Sequence, residues 1–90
     1  MKIDFRKRLE LLADTHGWTD SIREKAIATY DKFCSIGYAP EHILFYILRA
    51  LGEGRDIEII LQFLDNTLEK HKDDEAPVFS IGCALLFSLR

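Results

Sequence analysis

Gly17, Gly37, the Gly52-Glu53-Gly54 turn and the polar run Lys72-Asp73-Asp74-Glu75 cut this chain into five segments. Each segment repeats its apolar residues at three- and four-residue spacing. That is the period of a helix with one buried side, and no segment alternates strictly as a half-buried strand would. In the first, Phe5, Leu9, Leu12 and His16 share a face, with Arg6, Glu10 and Asp14 opposite and Gly17 as the stop. The second starts at Thr19 or Ser21, both able to cap a helix, and its stripe is Ile22, Ala26, Thr29, Phe33 and Ile36, with Tyr30 at the edge. Pro40 suits the first turn of the third, where Ile43, Leu44, Ile47, Leu48, Ala50 and Leu51 cover more than half the circumference. Ile43, Ile47 and Leu51 are therefore expected to be almost fully buried.

Asp56 is placed to cap the fourth segment, whose stripe is Ile57, Ile60, Leu61, Leu64, Leu68 and His71. The fifth restarts at Pro77, with Val78, Gly82, Leu85 and Leu89 expected on the core face and Phe79, Ile81 and Leu86 flanking. A strand competes for Val78 to Leu89, but the Leu, Ala and Cys content and the lack of any partner strand favour helix. The expected fold is all-α. Residues 1–90 form a single compact domain of about five short helices, an orthogonal or irregular bundle around a central apolar helix 40–52. With 48% hydrophobic residues, the chain is too apolar for disorder. Ninety residues leave no room for a second core or a deep two-domain cleft.

Charge and cysteine use narrow the function classes. The net charge is −3, and the one dense basic run, Arg6-Lys7-Arg8, fans around a helix instead of lining a row, which disfavours nucleic acid. The third segment offers almost nothing polar to a base edge, so a helix-turn-helix reader fails on residue type. The longest uncharged run, Ala76 to Leu89, has 14 residues, short of the roughly 18–20 that cross a bilayer. Cys34 and Cys83 form no CxxC pair, and the opening Met1-Lys2-Ile3-Asp4 is unlike a signal peptide. A reduced, cytoplasmic protein is expected.

Catalytic and metal chemistry finds no foothold. His16 and His71 fall at helix ends on apolar stripes, where a histidine packs and meets the dipole. Paired zinc ligands are missing, GxSxG and HExxH do not occur, and both cysteines read as small buried hydrophobes. Asp73-Asp74-Glu75 is a solvated run that cannot raise a carboxyl pKa by burial. We expect no enzyme, no metal and no cofactor.

Two surface strips remain as candidate partner-binding sites. Glu58, Gln62, Asp65, Glu69 and Asp73 recur at four, three, four and four, an acidic line that could dock a basic partner, with Lys72 pairing Glu69. Its plain alternative is an ordinary solvated face. Reversing Asp65 and Glu69 to Lys is expected to leave folding intact. The second strip is His42, Tyr46 and Arg49, with Phe45 beside them. Tyr and Arg join an apolar body to a polar tip and are frequent binding anchors, although Phe45 and Tyr46 could equally complete the core. Ser80, Ala84 and Ser88 form either a weakly polar face or a seat for another helix. The expected function is a small protein-binding module, in its most concrete form an inhibitor or immunity-type protein that neutralises a basic enzyme such as a nuclease toxin. The alternative is a homo-oligomeric structural or regulatory subunit associating through the fifth segment.

Overall fold

The computed structural model describes residues 3–89; Met1, Lys2 and Arg90, within the expected domain, lie outside them. Five helices follow in order: α1 (Phe5–His16), α2 (Asp20–Ser35), α3 (Pro40–Gly52), α4 (Ile57–His71) and α5 (Pro77–Ser88). No strand occurs among the described residues. The chain is an all-α single domain.

Local chemistry sets the helix ends. Asp4, Thr19 and Asp56 accept backbone N–H groups at the starts of α1, α2 and α4, satisfying donors that the helix itself cannot. Proline opens α3 and α5. The first three helices end alike, each in a glycine at positive φ: Gly17 (66°), Gly37 (91°) and Gly54 (86°). In each, the glycine N–H reaches back three residues and the next N–H reaches back five, as in Trp18 to Ala13 (3.0 Å), Tyr38 to Phe33 (3.1 Å) and Arg55 to Ala50 (3.1 Å). This double bond pattern needs a left-handed residue, so side chains with a Cβ would be strained there.

The core is built where α2 and α4 meet, with α1 and α3 closing over them. Leu9, Ala26, Phe33, Ile43, Ile47, Ala50, Ile60, Leu61, Leu64 and Ile81 are each at most 2% exposed. α3 touches α1, α2 and α4, as the central element should, yet one of its sides reaches solvent. Leu48 is 47% exposed and Leu51 is half-buried, so the buried arc is narrower than the apolar arc. Tyr30, expected at an edge, is buried.

The histidines depart from their stripes. His16 is exposed and stacks on Trp18, with ring centroids 6.2 Å apart. His71 is half-buried and holds Asp74 through Nδ1 at 2.8 Å. Arg6 pairs with Asp31 of α2 at 3.5 Å instead of serving Glu10 within its own helix.

α5 departs most from its expected orientation. Its core residues are Ile81 and Leu85, at 0% and 3% exposed, and not the Val78–Gly82–Leu85–Leu89 stripe. Ser88 and Ala84 lie half-buried on one flank, Gly82 and Leu89 on the other. Val78 (39%), Phe79 (73%), Leu86 (68%) and Phe87 (74%) are exposed, and Cys83 is exposed with them instead of buried. The contacts that turn the helix are polar. The Tyr46 hydroxyl and Ser88 Oγ share a hydrogen bond of 2.8 Å, and Arg55 donates to the Ser88 carbonyl. These fix which side of α5 faces inward, so the Ser80, Ala84 and Ser88 flank is turned toward its own chain.

Burial leaves its largest pH signature at Tyr30. Desolvation, reinforced by Cys34 one turn later and by Asp4 and Asp31, pushes the Tyr30 hydroxyl from 10.0 up to about 12. A raised folded-state pKa means that stability is complete below pH 10 and falls as the pH rises toward 12. The urea midpoint is expected to fall over that window, and Tyr30→Phe should flatten the fall. An unchanged slope in Tyr30→Phe would place the alkaline transition elsewhere.

Candidate protein-contact surfaces

The α4 face holds the expected acidic strip, but its members do different jobs. Glu58 sits in the first turn beside the Asp56 cap and is exposed. Gln62 is exposed and donates to Asn66 at 3.0 Å. Asp65 is half-buried, and its Oδ1 accepts the hydroxyl of Thr29 at 3.0 Å, where Thr29 is only 1% exposed. Glu69 is exposed and bound by Lys72 Nζ at 2.7 Å; the hydrogen bond and charge of Lys72, with a smaller contribution from Lys32, hold its carboxyl below the usual range. Asp73 lies past the end of α4, in the exposed turn before Pro77. A shallow groove between α2 and α4 brings Lys32 and Lys72 beside Asp65 and Glu69. The strip is therefore mixed in charge around Asp65 and Glu69, with exposed acidity at its two ends, Glu58 and Asp73.

The α3 strip splits in the opposite sense to the simplest reading. Tyr46 turns inward, 3% exposed, with its ring stacked on Phe63 at 6.2 Å and its hydroxyl on Ser88. Its place is in the core, so it offers almost no surface to a partner. Phe45 faces out at 57% exposed. His42 is exposed, edge-on to Tyr38, and Arg49 is exposed with Nε 3.8 Å from Glu53.

Phe45 and His42 instead border a groove that joins part of this strip to the fifth segment. Between α3 and α5 runs an apolar groove of about 300 Å³, walled by Tyr38, His42 and Phe45 on one side and by Gly82, Leu86 and Leu89 on the other. It continues into a second hollow of about 370 Å³ bordered by Ala39, Val78, Phe79 and Cys83. In its floor Tyr38 is 7% exposed and packs edge-on against Phe33 at 5.6 Å. Burial raises the Tyr38 hydroxyl pKa above its ordinary value.

Comparison with protein-family models, curated proteins and solved structures finds no match. The chemistry of the surface must speak for itself. Among the described residues, no group of three His, Cys, Asp or Glu side chains converges in a way that could hold a metal ion. No buried side-chain nitrogen or oxygen lacks a hydrogen-bond partner among them. What the α3–α5 side presents is apolar area with an imidazole at its margin. The signal for it was in the 14-residue uncharged run, because a helix apolar all round cannot bury every side against one layer of neighbours.

Proposed function

We propose that this domain is a non-catalytic protein-binding module that docks through the outward face of α5 and the adjoining α3–α5 groove. One observation carries the reading. α5 has no charged side chain, yet it leaves Phe79 73% and Leu86 68% exposed, next to Phe45 at 57%. Large apolar side chains contiguous on a surface are stabilised by cover, and protein partners supply it. No helix is long and apolar enough to cross a membrane. Two free thiols, one of them exposed, fit a reducing compartment, and the cytoplasm is the proposed site of action.

The inhibitor reading, masking of a basic enzyme such as a nuclease toxin, draws on the α4 face. Asp65 and Glu69 already serve Thr29 and Lys72, which leaves Glu58 and, past the helix end, Asp73 to carry the attraction. A photo-crosslinking residue placed at Phe79 or at Glu58 separates the two in living cells. Cross-links to protein from position 79 and none from 58 are expected. The reverse pattern would move the contact to α4 and favour the inhibitor.

A further inference from the structure

We infer that the occupant of the α5 face is a second copy of this chain, paired antiparallel across α5; this rests on the protein-contact reading above. The first argument is register. In an antiparallel pair crossing between Gly82 and Cys83, Phe79 of one copy meets Leu86 of the other, and Leu86 meets Phe79. Both large residues are exposed, both lie on the same side of the helix, and two small residues lie between them. A two-fold contact requires just such a self-complementary patch, and it closes at two copies without growing into a filament.

Gly82 supplies an independent argument. A glycine inside a helix weakens it relative to alanine. Here the monomer makes no steric use of the missing side chain. The backbone is not at positive φ, and a Cβ would meet nothing nearer than the Tyr38 hydroxyl at 3.8 Å, an ordinary contact. Close approach of a second helix at the crossing point gives the vacancy a use.

Charge permits the pairing, and area sets its strength. At roughly 150–200 Å² for a large apolar side chain, the exposed fractions of Phe45, Val78, Phe79 and Leu86 amount to on the order of 400 Å². A homodimer of standard size needs about 800 Å² per copy, about 65% of it apolar. Cys83, Gly82 and the half-buried Leu89 add to this without reaching that size, which places the pair among small, weakly held dimers. Because α5 carries no charge, two copies at −3 can meet there without forcing carboxylates together.

Sedimentation equilibrium on the full chain is expected to give twice the 10.4 kDa of one copy. Phe79→Lys and Leu86→Lys should each weaken association about 100-fold or more. Their helical circular dichroism should be unchanged, since both sites are exposed. Gly82→Ala should move two readouts in opposite directions, weakening the dimer about 10-fold while raising the monomer's melting temperature by a few degrees. In a Cys34→Ser background, a short bis-maleimide should join Cys83 to Cys83 and fail to do so in Phe79→Lys. A chain that stays monomeric to roughly 100 μM, or a dimer indifferent to Phe79→Lys, overturns the inference. If the chain is monomeric but position 79 cross-links to a different protein in cells, self-pairing alone falls. If position 79 cross-links to nothing, the protein-contact reading falls with it.

Discussion

Replacing Ile47 by Ala is expected to cost about 2–4 kcal/mol, the combined loss of transfer energy and the cavity left behind. Ile47 is 0% exposed and sits on the side of α3 that meets α1, α2 and α4. Its neighbours Ile43 and Ala50 are equally enclosed, so little can collapse into the space. A domain of this size has roughly 5–13 kcal/mol of stability in total, so the variant should lie near the edge of folding. Leu48→Ala is the control on the same helix: at 47% exposed it should cost under ~1 kcal/mol. Urea denaturation of the two variants checks this. Equal midpoints would mean that α3 does not pack as described.

That contrast shows where the sequence was legible. Caps, prolines and left-handed glycines act locally, so the starts of α3, α4 and α5 and the ends of α1 and α2 could be read from residues such as Pro40, Asp56 and Gly37, while Thr19 and Ser21 competed for the start of α2. The buried side of α4 could also be read, because charged residues interrupt its apolar period on the other side. In α3 and α5 that interruption nearly vanishes, and periodicity loses its power to orient the helix. Leu48 and Leu51 were placed inside for that reason, and Val78 was placed on the core side of α5. What orients α5 is a pair of long-range polar contacts, Tyr46 to Ser88 and Arg55 to Ser88, separated by 42 and 33 positions. No local pattern announces them.

The same cause hid which of Tyr46, Phe79 and Leu86 would face solvent. Tyr46 looked like a surface anchor because Tyr often is one, but its hydroxyl had a hidden partner in α5. Phe79 and Leu86 looked like flanking core because apolar residues usually are. An excess of apolar residues over what one face can bury was the readable clue, and it pointed at α5 without saying which side would be left over.

The half-buried carboxylate of α4 yields the second large effect. Reversal of Asp65 to Lys is expected to destabilise the domain by about 1–3 kcal/mol, correcting the expectation that folding would not notice it. Thr29 is 1% exposed, and the Asp65 carboxylate at 3.0 Å is the acceptor for its hydroxyl. A lysine there cannot accept that bond, and its ammonium enters the groove that already holds Lys32 and Lys72. Glu69→Lys, at an exposed position, should change stability by under ~0.5 kcal/mol. A double-mutant cycle isolates the cause: in a Thr29→Val background no hydroxyl is left to satisfy, and Asp65→Lys should then cost about 1 kcal/mol less. Any use of charge reversal to test docking on α4 must therefore change Glu58 and Glu69 and leave Asp65 in place, or a folding defect will pass for a binding defect. If Asp65→Lys proves as stable as the parent, Asp65 returns to the solvent-facing acids, and the α4 strip regains its claim on a basic partner.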